Sequence, residues 1–387
     1  MIAPSSLHVL FLSSYSFPAS GLASFTRDLV QELAGHPDIY AQIVAIDGGT
    51  PEYPKEVVAH FEKKSRFAHL AAADFINRSG ADVLVVQHSF EIYGGRYGDY
   101  LLDLLGQVEI PYLLVCHDVP SVPCQEQRNI LSKLCYFSHG TVVMSLLAKR
   151  LLVTLYGCSE GPIHALPHGV PAYKADREKL KAMGGLGGKT VLVSYGLLCP
   201  EKGLEYGIDA VAQVAEKHPD IHYLILGSLH PRTRPARAST YRQTLQDKVQ
   251  ALGLEGHVTI LSRFFSKAEM LRLLALSDIC LAPYLTRDIS ISGTLANAVG
   301  LGRAVVSTPF LYAQEILAEG RGLLAQMSDA DSLARCITTL LEVPQLKAHI
   351  ERQTAALGEK MAWPHVACQY SALLGQVAER HAREVAS

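Results

Sequence analysis

Short apolar runs with no polar break recur along this chain, and each is followed by a polar turn and a helical stripe. The first is His8-Val9-Leu10-Phe11-Leu12. A strand that does not alternate must be covered on both faces, which is the situation of a central strand in a parallel sheet. After the turn from Ser13 to Gly21, Leu22, Phe25, Leu29 and Leu33 fall on one face of a helix running to about Gly35. Strand, glycine turn and helix make the first β-α unit of a doubly wound fold. The pattern repeats, with strands at 43–46, 83–86, 112–116 and 142–144 and helices expected at 57–79, 99–105 and 145–156. Such alternation implies a parallel sheet with right-handed crossovers.

A second series follows residues 172–189, which are charged and then glycine-rich and are expected to be a flexible join. Its strands are expected at 191–195, 223–227, 258–261, 279–281 and 304–307. Leu204, Ile208, Val211 and Val214 form one helical stripe, and Tyr241, Leu245, Val249 and Leu252 another. Ser266 and Glu269 form a capping box for a helix at 267–275. A last helix, 363–377, carries Val366, Tyr370, Leu373 and Val377 on one side. A length of 387 residues suits two domains, and 49% apolar with 19% charged residues describes large packed cores.

The net charge of −2 supplies no global attraction to nucleic acid. No apolar run reaches membrane-spanning length, and the start reads as a strand, not as a signal peptide. Eight scattered cysteines without a CxxC pair suit buried reduced thiols better than disulfides or zinc. The absence of GxGxxG argues against a nicotinamide cofactor.

In parallel sheets ligands bind beyond the carboxyl ends of the strands. His88 and His117 stand there. The loop His88-Ser89-Phe90-Glu91-Ile92-Tyr93-Gly94-Gly95 offers the aromatic faces and hydroxyls that suit a sugar acceptor, with a structural role as the plain alternative. In Pro283–Pro309, the helix start Ser292-Gly293-Thr294 presents bare backbone N–H groups, a natural seat for a phosphate. The basic segment from His230 to Arg237 suits donor phosphate, an anionic acceptor or solvent.

Several of these segments resemble the GT4 family of glycosyltransferases, which have two Rossmann-like domains facing a cleft, the GT-B fold. Gly196-Leu197-Leu198-Cys199-Pro200-Glu201-Lys202-Gly203 is similar to the family's Gly-Arg-Leu-x-x-x-Lys-Gly turn, with Leu197 in place of the phosphate-binding Arg. Pro167-His168-Gly169-Val170 resembles its Pro-Asn-Gly-Val stretch, and Gly302-Arg303-Ala304-Val305-Val306 its Gly-x-Pro-Val-Val strand. The family's paired glutamates fall at Ile289 and Asn297, a departure that marks a divergent subgroup. The Gly-Leu-Leu-x-x-x-Lys-Gly and Ser-Gly-Thr-Leu segments resemble those of a bacterial subgroup, which implies that both departures are subgroup traits.

The resemblance implies domains at 1–172, with 364–387 crossing back onto it, and at 189–363. It implies a retaining hexosyltransferase in which His117 and Lys202 act in catalysis. Gly21, beside Ser20, would bind the donor together with Arg263, Asp288, Ser292, Gly293, Thr294, Asn297 and Glu315; His88, Tyr93 and Gly94 would bind the acceptor. The donor would be a UDP- or GDP-sugar and the acceptor a saccharide, lipid or small molecule, with no metal and no cofactor. A cytoplasmic location is expected, with peripheral membrane contact through the helix at 145–156 as one option. A catalytically silent sugar-nucleotide-binding subunit and an epimerase of the same fold are the alternatives.

Overall fold

A computed structural model describes residues 6–15, 21–48, 53–228 and 235–386, without the side chains of 235–239. Ser20 and the basic stretch 230–234 lie outside the described residues, as does the Arg237 side chain. The chain divides into two units, Met1–Gly169 with Trp363–Ser387, and Val170–Ala362.

The first unit runs β1 (Leu7–Ser13), α1 (Gly21–Leu33), β2 (Ile39–Asp47), β3 (Val57–Glu62), α2 (Arg66–Arg78), β4 (Val83–His88), α3 (Tyr100–Leu105), β5 (Tyr112–Cys116), α4 (Gln125–Phe137), β6 (Gly140–Val143), α5 (Leu146–Thr154) and β7 (Ile163–Ala165). The strands pair in parallel in the order β3-β2-β1-β4-β5-β6-β7. Every residue of β4 and β5 is buried, as an unbroken apolar run requires.

The stretch 57–79 is not one helix. Val57, Ala59 and Phe61 turn inward while Val58, His60 and Glu62 face out, so β3 forms a half-buried edge strand. The helix begins only at α2, where Ser65 Oγ accepts the Ala68 N–H at 3.2 Å.

The second unit runs α6 (Arg177–Met183), β8 (Thr190–Tyr195), α7 (Leu204–Ala215), β9 (Ile221–Gly227), α8 (Pro235–Ala251), β10 (Val258–Ser262), α9 (Lys267–Ala275), β11 (Ile279–Ala282), α10 (Gly293–Gly300), β12 (Ala304–Ser307), α11 (Leu311–Ile316), β13 (Leu323–Leu324), α12 (Ala330–Glu342) and α13 (Pro344–Met361). Its parallel order is β10-β9-β8-β11-β12-β13. The stripe Leu204, Ile208, Val211 and Val214 is buried on α7.

The segment expected to be a flexible join is anchored through α6. Asp176 caps the helix, Lys181 Nζ meets Asp278 Oδ2 at 2.7 Å, and Arg177 meets Glu351 Oε1 at 2.6 Å. The last helix, α14 (Trp363–Ala386), belongs to the first unit and packs along α1. All eight cysteines are free thiols, and those in strands, Cys116 and Cys280, are buried. Among the described residues no helix is long and apolar enough to cross a membrane.

Candidate functional site

In the second unit, the carboxyl ends of β8 and β9 press together through glycine. A side chain on Gly227 would collide with the Gly196 carbonyl, and Gly196 itself has φ +145°, where glycine is favoured. The turn after Gly196 ends on Lys202, closed by the left-handed Gly203 at φ +58°. The Lys202 ammonium lies 3.5 Å from the centre of the Tyr284 ring, which stacks on Phe310 at 4.9 Å. A methyl group placed on Gly196 would sit 3.7 Å from Thr294 Oγ1 and 4.0 Å from Lys202 Cε. The glycine turn, the lysine and the start of α10 therefore converge on one spot.

At that start, Ser292 Oγ accepts the Leu295 N–H at 3.3 Å and Ser292 O accepts the Ala296 N–H at 2.9 Å. The N–H groups of Gly293 and Thr294 have no partner within the helix, and the helix dipole adds partial positive charge there. Bare donors, an ammonium and space kept open by glycine are what an oxyanion or diphosphate needs.

Other expected donor residues have different roles in the structure. Arg263 is engaged with Glu269 at 2.9 Å and the Phe264 carbonyl at 3.0 Å, and lies over the Phe265 ring. It buttresses the Ser266–Glu269 capping box at the end of the edge strand β10, and none of its hydrogen bonds reaches the Lys202 group. Asn297 turns its amide back along α10, donating to Gly293 O at 2.8 Å, so that donor is spent inside the helix. Asp288 is exposed in a loop tied to α11 through Leu311 N–H to Arg287 O and Tyr312 N–H to Ile289 O, each 3.0 Å. Glu315 is half-buried on α11. In the first unit, Gly21 opens α1 exposed, with nothing within 4 Å of an added methyl group.

At the strand ends of the first unit, the His117 N–H donates to His88 O at 2.9 Å, and its Nε2–H donates to Gln87 Oε1 at 2.6 Å. The His117 ring meets the Phe25 ring edge-on at 5.0 Å, and Phe25 in turn meets His168 and Trp363, each at 5.1 Å. Gly169 lies flat on Trp363, where any side chain would collide with the indole. Burial pushes His117 down to about 3, helped by His168 and His88 nearby. Burial likewise pushes His88 and His168 down to about 4. All three rings are neutral at pH 7.

Tyr93 does not offer its hydroxyl to an acceptor. It is 2% exposed and donates to Gln87 O at 2.9 Å, deep in the core. Gly94 is a packing glycine, because a side chain there would collide with Lys63 O and the Tyr100 ring. His88 is 1% exposed with its Nδ1 buried and unpartnered, so an incoming acceptor does not meet an open ring. Gln87, Phe25, His168, Trp363 and Tyr284 were passed over in the sequence. Gln87 carries a signal as the polar residue that breaks the apolar run of β4 just before His88, and His168 stands in the Pro167–Val170 stretch.

Among the described residues, His139, His381 and Glu384 bring ligand atoms within 4.8 Å of one another. His139 Nδ1 accepts the Tyr112 N–H at 3.2 Å, so its proton sits on Nε2 and that nitrogen lacks the lone pair a metal needs.

Residues 189–343 match the family model described as "Glycosyl transferases group 1". That match lies within the second unit. Over 233 residues the chain is 27% identical to a phosphatidyl-myo-inositol mannosyltransferase of Mycolicibacterium smegmatis, covering 59% of this chain and 55% of that one. Over 185 residues it is 23% identical to an alpha-D-kanosaminyltransferase of Streptomyces kanamyceticus, covering 48% and 45%. The chain spans about half the length of the curated relatives it matches. The fold matches the crystal structure of Anabaena HepE in complex with UDP at a TM-score of 0.78 and 18% identity, over 96% of this chain and 100% of that one. It matches sucrose-phosphate synthase from Thermosynechococcus elongatus at 0.77 and 17%, over 96% and 99%. The architecture is thus that of GT-B glycosyltransferases: two Rossmann-like parallel-sheet domains.

Proposed function

We propose that this protein is a retaining glycosyltransferase that moves a hexosyl group from a UDP- or GDP-sugar to a saccharide, lipid or small-molecule acceptor. The observation that carries this reading is the convergence of Gly196, Lys202 and Thr294 at the start of α10. There the Lys202 ammonium and the Gly293 and Thr294 N–H groups would hold the diphosphate and stabilise its charge as the sugar leaves. The related phosphatidyl-myo-inositol and GDP-mannose-dependent mannosyltransferases support a sugar-nucleotide donor. A same-face displacement, with the leaving phosphate taking the acceptor proton, is the default mechanism. Nothing in this mechanism calls for a resident metal.

Asn297, with its amide turned into the helix, and Leu197, in place of an arginine, favour a second reading as a silent sugar-nucleotide-binding subunit. Incubation with UDP-glucose or GDP-mannose separates the two. The transferase releases UDP or GDP and is stabilised against heat by its donor, and Lys202→Ala removes both effects. Donor binding without nucleotide release across a broad acceptor panel selects the silent subunit. Stabilisation that survives Lys202→Ala overturns the site itself.

A further inference from the structure

We propose that Gln87 is a positioning residue that holds His117 in a single tautomer, leaving His117 Nδ1 as a fixed hydrogen-bond acceptor for a sugar hydroxyl. Gln87 Oε1 lies 2.6 Å from His117 Nε2. An amide oxygen can only accept, so the ring proton resides on Nε2 and the lone pair on Nδ1. That Nδ1 has no hydrogen-bond partner among the described residues. Gln87 is wholly buried, and its own Nε2 is buried without a partner. The fold therefore leaves one amide donor unmet while keeping the oxygen on His117, a pattern that points to a role beyond packing.

The neutral amide also matters. The ionisable neighbours are the buried His88 ring and the half-buried His168 ring, with Asp28 near His168. A carboxylate at position 87 would instead favour imidazolium, turn Nδ1 into a donor and abolish the acceptor. A ring held this way reads a hydroxyl by accepting its proton in a hydrogen bond. It orients the sugar and does not shuttle protons.

This rests on the transferase reading, and the test separates the two. The protein labelled with ¹⁵N-histidine is observed at pH 7, with the His117 signals assigned by their loss in His117→Asn. The expected signature is protonated Nε2 and bare Nδ1. In Gln87→Leu the single tautomer gives way to a mixture. In Gln87→Glu protonated Nε2 persists and the ring titrates at higher pH. These readouts need no turnover, so they stand even if UDP-glucose and GDP-mannose are not substrates. Where either donor is turned over, Gln87→Leu lowers kcat about 10-fold or more, while affinity for UDP or GDP alone stays within about twofold. Protonated Nδ1 in the unmodified protein overturns the proposal, as does wild-type kcat in folded Gln87→Leu. If Gln87→Leu does not fold, the unmodified protein and Gln87→Glu decide.

Discussion

The two units finish their strands with different chemistry. The first ends β4 and β5 on neutral rings and an amide, with His88, His117 and Gln87 all at or below 9% exposure and the half-buried His168 against Phe25. The second ends β8 and β9 on glycine, and beside them sets an ammonium and two bare N–H groups. Neutral rings in a dry setting read hydroxyls by shape and hydrogen bonding. An ammonium with helix-start amides meets an anion. On the proposed reading, His117 in the first unit would meet a sugar hydroxyl and the Lys202 group in the second a diphosphate.

The units also bury charge differently. The second keeps Asp278 among Lys181, Arg177 and Lys347, with Asp278 Oδ2 accepting the Val191 N–H at 2.8 Å. Removing it in Asp278→Ala strands those cations, and the second unit should lose about 3–5 kcal/mol in a denaturant titration. An equal loss in both units would erase the contrast. Gly227→Ala forces a methyl group into the Gly196 carbonyl, and should lower the second unit's stability by about 1–3 kcal/mol while weakening donor binding. Unchanged donor affinity would mean that the close approach of β8 and β9 does not shape the site.

Acid should part the units further. The first unit's three rings titrate at about 3 or 4 when folded against an ordinary 6.5, so the unfolded chain takes up protons first as pH falls. Their stabilisation is complete above pH about 6.5 and drains away as pH falls from there toward about 3. In the second unit, burial raises the Asp278 carboxyl, but Lys181 and the Val191 N–H outweigh it and hold it below 3.8. Its contribution lasts until pH falls below that value. Among the described residues the second unit has one ring shifted in the same direction, the half-buried His222, through its burial. Hydrogen exchange at pH 7 and 5 should therefore show protection falling first in the first unit. The smallest effect is expected of Tyr284→Leu, which removes the ring beneath Lys202 and should weaken donor binding by about 0.5–2 kcal/mol.

The same contrast explains what could be read from the sequence. The second unit's site is local: Gly196 to Lys202 is one turn, and Ser292 to Thr294 one helix start, so short spacing carried the chemistry. The α7 stripe and the Ser266–Glu269 box were legible for the same reason. The first unit's site is tertiary. Phe25, Gln87, His117, His168 and Trp363 come from five separate places in the chain, and no spacing links them. Tyr93 and Gly94 looked like an open aromatic loop because nothing local reveals that Gln87 O and Lys63 O close over them. The strand β3 departs from the helix expected there although Val57, Ala59 and Phe61 alternate with Val58, His60 and Glu62, the period of two that marks a strand buried on one face.

The central claim is that the second unit grips a diphosphate with Lys202 and the amides that open α10. Calorimetric titration of UDP and of GDP into the unmodified protein and Lys202→Ala tests it most directly. The account predicts saturable binding of at least one nucleotide, weakened about 10- to 100-fold by the substitution, the size of one charge-assisted hydrogen bond. Equal affinity in the two proteins, or no binding of either nucleotide to the folded unmodified chain, would contradict it.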